Sequence, residues 1–198
     1  MPNDGMTLAD QDREKWDKRY AAGAYAERTH PSAFVGKWLS DLPAGDALDI
    51  ACGAGRNALY MAERGFRVDA VDVSAEALAR AASAAAEAGL EVNWIQCDLD
   101  TGLPVAGPFD LIVMIRYVNE PLLRSLPSML RPGGVLIVEN HLTTEEAVIG
   151  PRDPRYRVMP GALPAAVPDL EVLEATDSVV DDPDGRKVGL ARLVARKS

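Results

Sequence analysis

Three carboxylates and a run of small residues are the part of this sequence whose types and spacing could do chemistry. The stretch LDIACGAGRNA (residues 48–58) puts Asp49 at the tip of a short apolar strand and follows it with Ala51, Gly53, Ala54 and Gly55. Clearing side chains there lets a ligand come close to the backbone, and a helix starting near Arg56 offers N–H groups with no partner inside the helix. Asp72 stands nineteen residues beyond Gly53, the distance at which an acid takes ribose hydroxyls in a nucleotide-binding fold. Asp98 follows a third apolar segment. GAGRNA also satisfies the G-x-G-x-x-G/A pattern of dinucleotide sites, so the glycines alone do not choose a ligand. Asp49 does discriminate. A carboxylate beside the glycine turn repels a pyrophosphate and suits a ligand with a cationic end, such as the ammonium of an amino acid. Adenosine joined through sulfur to an amino acid is S-adenosylmethionine.

The elements that must hold these residues alternate. Pro31 opens a helix with Phe34, Val35, Trp38, Leu39 and Leu42 on one face; residues 46–50 form a strand; 56–64 form a short helix stopped by Gly65. FRVDAVDVS is a second strand, and Ser74 caps an alanine-rich helix that runs to Gly89. EVNWIQC is a third strand, and FDLIVMI (109–115) is apolar enough to be buried on both faces of a parallel sheet. PLLRSLPSML is a helix broken at Pro127, and RPGG turns into VLIVEN, residues 135–140. At the end, two strand-like segments flank DPDG, a hairpin turn signal. Strand–helix alternation implies right-handed crossovers. The expected fold is α/β, a Rossmann-like, doubly wound, mostly parallel seven-stranded sheet ending in an antiparallel hairpin. Residues 141–169, with five prolines, read as a long loop or lid.

Composition narrows the partners. In 198 residues, 21 Lys and Arg stand against 30 Asp and Glu, giving a net charge of −9. That is the wrong sign for phosphate backbones or anionic membrane surfaces, so neither nucleic acid nor membrane is expected, and a small-molecule acceptor is. The first residues lack the apolar stretch of a leader, and no apolar run is long enough for a span, which makes a cytoplasmic location the expectation. Two cysteines, Cys52 and Cys97, are too few for a disulfide framework or a thiolate cage, and no metal is expected.

LDIACGAGRNA, VDAVDVS, IQCDLD, FDLIVMIRYVN and RPGGVLIVEN resemble, in order and spacing, the successive motifs of class I S-adenosylmethionine-dependent methyltransferases. WDKRYAAGAYAERTHPSAFV is similar to the N-terminal flap of the tellurite-resistance-related and thiopurine methyltransferases, and YRVMPGAL to a segment of the former. The resemblance implies a single methyltransferase domain over 1–198: helix and flap to 30, cofactor-binding core 31–140, lid 141–169, hairpin 170–198. It implies that Asp49, Ala51, Gly53 and Gly55 surround the methionyl part and that Asp72 holds the ribose. Val73 would pack on the adenine, with Asp98 and Leu99 at its edge. Arg116 would line the cofactor and Trp16 would cover it. Ala51 departs from the usual glycine, which implies tighter packing with binding retained.

Other residues carry plainer readings. Asp110 begins a strand and reads as structural, Cys52 and Cys97 as buried fillers, His30 as a loop residue. Arg116 suits either an ion pair with Glu120 or another acid at the site. Trp16 and Tyr20, four apart, share a helix face and could simply dock it. His141, after the fifth strand, has the position and the side chain of a proton acceptor, though a surface histidine is the commoner outcome. The arginines of PRDPRYR could meet an anionic acceptor or keep a loop solvated. After strand four stands IRYVNE, not the Pro-Pro-Tyr/Phe segment of amino-methylating nucleic-acid enzymes. The function expected is methyl transfer to a small-molecule heteroatom (S, Se/Te, N or O). The rivals are a non-catalytic S-adenosylmethionine-binding protein and an NAD-dependent oxidoreductase.

Overall fold

The structure, a computed structural model, describes residues 8–181 and 185–198. The start of the N-terminal segment (1–7) and the first three residues of the DPDG turn (182–184) lie outside the described residues. The chain divides into two compact units, one up to Ala106 and one from Gly107 onward. Among the described residues no helix is long and apolar enough to cross a membrane.

The first unit holds α1 (Leu8–Ala21), α2 (Ala33–Leu39), β1 (Asp46–Ile50), α3 (Arg56–Ala62), β2 (Arg67–Asp72), α4 (Ala75–Ala88) and β3 (Asn93–Gln96). Its strands are parallel, with β2 between β1 and β3. Ser74 caps α4 by accepting from Ala77 N, and Gly89 ends it in the left-handed conformation at φ 66°. The buried stripe of α4 is Ala77, Leu78, Ala81 and Ala85. These small side chains allow close approach: a Cβ on Gly55 would come within 2.9 Å of the Ala81 Cβ and 2.6 Å of the Trp94 ring.

The second unit holds β4 (Phe109–Ile115), α5 (Glu120–Ser125), a 3-10 turn at Leu126–Met129, β5 (Leu130–Leu142), β6 (Arg157–Val158), α6 (Ala162–Ala166), β7 (Glu171–Asp181) and β8 (Lys187–Arg196). β4 and β5 are parallel; β8 runs antiparallel to β5, and β7 antiparallel to β8. Asn119 caps α5, and Pro127 converts the expected continuation into the 3-10 turn.

Among the described residues the strands number eight, the seven expected and the two-residue β6, which pairs in parallel with the end of β5. Residues 141–169, read as a long loop or lid, hold β6, α6 and several packed contacts. Thr143 N donates to Val158 O and Ile149 N to Lys187 O, and Leu163, Ala166 and Val167 are buried. Those apolar side chains carry no strict period, which is why a sequence pattern does not reveal the packing.

Candidate functional site

At the tip of β1, Asp49 is 1% exposed, and its Oδ2 has no hydrogen-bond partner. Burial lifts its pKa to about 7, although the nearby Arg56 guanidinium and a bond from the Ala58 N–H pull the other way. A buried carboxylate oxygen without a donor is costly, so the position is suited to a cationic or hydrogen-donating ligand. Two residues on, Ala51 sits at φ 55°, in the left-handed region where alanine is strained by ~1–2 kcal/mol. The expectation of tighter packing is thereby sharpened into backbone strain at the turn.

Asp72, at the tip of β2, is 7% exposed. Its Oδ2 accepts from Gly53 N at 2.7 Å and its Oδ1 from Ser74 N at 2.9 Å. Burial raises its pKa, and these N–H bonds oppose that rise. One carboxylate therefore ties the glycine turn to the start of α4, and its remaining lone pairs can accept hydroxyl protons.

The residue that meets the turn from α1 is Tyr20. A Cβ on Gly53 would collide with the Tyr20 hydroxyl. Tyr20 is buried, and burial together with the Asp72 charge pushes its phenol well above the ordinary range. Trp16 lies beside it, half-buried, with ring centroids 6.3 Å apart, and Arg19 stacks 4.8 Å from the Trp16 ring centroid. Arg80 of α4 donates to the carbonyls of Tyr20 and Ala24, while Asp17 accepts from Ser74 Oγ at 2.7 Å. α1 is thus bolted to α4 at both a carboxylate and a guanidinium. Sequence reasoning chose Trp16 and gave Tyr20 only a docking role. The i, i+4 spacing names the pair and not which ring reaches the turn.

Val73 is half-buried and Leu99 buried. Asp98 Oδ1 accepts from Asp100 N at 3.0 Å, and its carbonyl accepts from Thr101 Oγ1 at 2.7 Å. Its local bonding is that of a turn former. Gly55 is required by Trp94 and Ala81, a packing reason that needs no ligand. Cys52 is buried with its thiol pushed well up by burial, as a filler would be, and Cys97 is half-buried. Asp110 pairs with Arg131 at 2.5 Å.

In the second unit, Arg116 follows β4 at φ 63°, and its backbone N donates to Glu139 O. Its guanidinium lies 3.3 Å from Glu139 Oε1, and Arg192 Nε lies 2.7 Å from Oε2. Glu139, 3% exposed, is thus held between two arginines, whereas Glu120 pairs with Arg124. Arg116 Nη1 is 2.9 and 3.0 Å from the two ring nitrogens of His141. A nitrogen at these distances from both in the ring plane would clash with the Cε1 between them, so Nη1 lies out of that plane. On the other strand face Asn140, 1% exposed, has an Oδ1 with no partner. Among the described residues no group of three metal-ligating side chains occurs.

Residues 47–134 match the family model described as a methyltransferase domain. A ubiquinone biosynthesis O-methyltransferase of Caulobacter sp. (strain K31) is 40% identical over 97 residues, which is 46% of this chain and 38% of that protein. A tRNA 5-carboxymethoxyuridine methyltransferase of Escherichia coli (strain K12) is 40% identical over 97 residues, 45% of this chain and 37% of that one. The chain thus spans under two fifths of the length of these curated relatives. Among solved structures, TehB from Haemophilus influenzae superposes with a TM-score of 0.74 at 20% identity, over 88% of this chain and 66% of that one. The fold is accordingly the Rossmann-like α/β fold of S-adenosylmethionine-dependent methyltransferases.

Proposed function

We propose that the chain is an S-adenosylmethionine-dependent methyltransferase acting on a small molecule through a heteroatom. The observation that carries this reading is the partnerless Oδ2 of Asp49, buried beside the glycine turn. A cationic ammonium satisfies that oxygen and favours its ionised form, whereas a pyrophosphate would do neither. The match of residues 47–134 to a methyltransferase domain supports the same cofactor. The donor set fits: Asp49 for the ammonium, Asp72 for the ribose hydroxyls, Gly53 for close approach, and Val73 and Leu99 as apolar contacts for the base.

When bound, the cofactor supplies an electrophilic methyl on sulfonium. The chain's own residues must bind, orient and exclude water. Asp72 sets the turn through Gly53 N, and Tyr20 closes over it from α1. The acceptor atom must be held in line with the transferring methyl, so orientation is the main contribution asked of the protein. His141 is the candidate for taking up a proton if the acceptor carries one, and a soft acceptor such as a thiolate needs no base. The net charge of −9 favours a small acceptor over a nucleic acid, although one relative is named for tRNA.

Calorimetric titration with S-adenosylmethionine, S-adenosylhomocysteine and NAD tests the reading. Binding of the first two at micromolar levels, lost in Asp72→Ala, is expected. Binding of NAD alone would overturn it in favour of an oxidoreductase. Binding without turnover of any thiol, phenol, amine, selenite or tellurite would favour a cofactor-binding protein without catalysis.

A further inference from the structure

The face of β5 that carries Glu139 and His141 is cationic in an otherwise acidic chain. Side chains alternate along a strand, and cross-strand partners share a face. β8 places Arg192 opposite Glu139, and β6 places Arg157 opposite His141. Arg116 joins them from the end of β4. Three guanidiniums therefore gather on this face, and the carboxylate beside them, Glu139, is already shared by Arg116 and Arg192.

Arg157 is the member without an acid. Its Nε donates to Pro151 O at 2.8 Å and its Nη1 to Leu142 O at 2.7 Å. Among the described residues both partners are neutral carbonyls, and Nη2 donates to none. These two bonds lock the guanidinium plane, so its outer edge is presented in a fixed orientation. The neighbouring Arg155, by contrast, is paired to Asp153 at 2.7 Å and exposed. Gly150, at φ +125°, brings the edge of His141 close: a Cβ there would lie 2.8 Å from His141 Nδ1 and Cε1 and 3.4 Å from Arg157 Nη2. The Gly150 backbone is therefore where the imidazole edge and the outer nitrogen of Arg157 converge. His141 lies at the carboxyl end of β5, the end where open α/β sheets take their ligands, and Arg157, the first residue of β6, is paired beside it.

We propose that this face is an anion seat, and that the methyl acceptor bears a small oxyanionic group, a carboxylate or a phosphate, held by Arg157 Nη2 beside His141. The identification of the ligand as the acceptor rests on the methyl-transfer reading above; the seat itself does not. A fixed guanidinium fork with only carbonyl partners matches a carboxylate edge and keeps the charge that an ion pair would cancel. Of the two chemistries offered by the arginines of PRDPRYR, recognition thus belongs to Arg157, and solvation of the loop to Arg155.

The test uses the full chain, with and without saturating S-adenosylhomocysteine. Sodium benzoate, methyl benzoate and inorganic phosphate are titrated in turn, followed by chemical shifts of the arginine Nε–H and histidine ring signals. Benzoate is expected to saturate with shifts at Arg157 and His141, and the uncharged ester to bind at least about tenfold more weakly, the loss of one charge-assisted bond. Arg157→Gln should weaken benzoate about tenfold while S-adenosylhomocysteine affinity stays unchanged and the melting temperature falls with the two lost carbonyl bonds, and Arg157→Lys should retain part of the binding. Phosphate binding better than benzoate, with the same shifts and the same loss in Arg157→Gln, would keep the seat and assign it to a phosphorylated acceptor. Equal binding of benzoate and its ester, absence of saturable binding by either anion, or an unchanged benzoate affinity in Arg157→Gln would overturn the proposal. So would loss of S-adenosylhomocysteine binding in that variant, which would give the seat to the cofactor's own carboxylate. If S-adenosylhomocysteine fails to bind the unaltered chain, the methyl-transfer reading falls, and the titrations without it still decide whether the seat exists.

Discussion

The two units place opposite chemistry at the ends of their strands. At the tips of β1 and β2 stand two buried carboxylates, Asp49 and Asp72, held among backbone N–H groups. Beyond β4 and β5 stand Arg116, His141 and Arg157, with Glu139 the carboxylate shared between Arg116 and Arg192. Both ends use the same backbone device, a non-glycine residue in the left-handed region directly after the strand: Ala51 at φ 55° and Arg116 at φ 63°. The lesson is that the strand–turn geometry supplies position and the side chains supply sign. One end carries carboxylates among backbone N–H groups, the other guanidiniums around a shared carboxylate.

Several substitutions would break or sharpen that contrast. The largest effect is expected at Asp49. Its folded pKa of about 7 lies above the ordinary 3.8, so between those values the folded state holds a proton that the unfolded state has lost. Stability of the ligand-free chain should therefore fall as pH rises from about 4 to about 7 and level off above. A shift of that size is on the order of 4 kcal/mol, and Asp49→Asn should reduce the slope in melting curves to the part left by Asp72 while weakening the cofactor. A flat profile in the unaltered chain would remove the electrostatic half of the comparison. The same proton predicts that S-adenosylmethionine affinity declines below pH 7.

Next is Glu139→Gln, which leaves Arg116 and Arg192 facing a neutral amide. Removing one partner of a buried ion pair costs about 3–5 kcal/mol, and the partial exposure of both arginines places this case near the lower value. Urea denaturation reads it directly, and an unchanged midpoint would mean that the second strand end is not organised by that carboxylate. Asp72→Asn comes third. It weakens the charge-assisted bonds to Gly53 N and Ser74 N as well as those offered to a ribose, so cofactor affinity should drop by about 1.5–3 kcal/mol in calorimetry. The smallest effect is Ala51→Gly, which relieves left-handed strain but loosens the unfolded chain; a net gain of about 0.5–1 kcal/mol in stability is expected from thermal melts. A loss instead would show that the Ala51 methyl packs well enough to outweigh its backbone.

The contrast also explains which residues could be read from the sequence. Elements governed by local signals are legible: β1 (46–50) and β4 (109–115) occupy the expected residues, Ser74 and Gly89 bound α4, and Pro127 ends α5. So is the acid-plus-glycine turn, because Asp49, Gly53 and Asp72 are named by spacing along a single βαβ unit. What spacing cannot show is a contact made by tertiary packing. Tyr20 rather than Trp16 reaches Gly53, Gly55 is demanded by Trp94, and Asp17 braces Ser74 from 57 residues away. The cationic end fails for the same reason. Its three arginines come from three separate segments, and only strand pairing brings Arg157 to His141. The packing of the segment read as a loop or lid is invisible in the sequence because it rests on scattered apolar residues and short backbone pairings rather than on any period.

The clasp between α1 and α4 has a temporal consequence. The Tyr20 hydroxyl stands over Gly53, while Arg80 and Asp17 fasten the helix that carries it. A molecule seated against that turn would depart only as fast as a helix of 14 residues lets go of its neighbour. Its dwell time would then be governed by the undocking of α1 more than by the strength of any single bond to the ligand. Weakening Arg80 would shorten that dwell and leave the chemistry beneath it untouched.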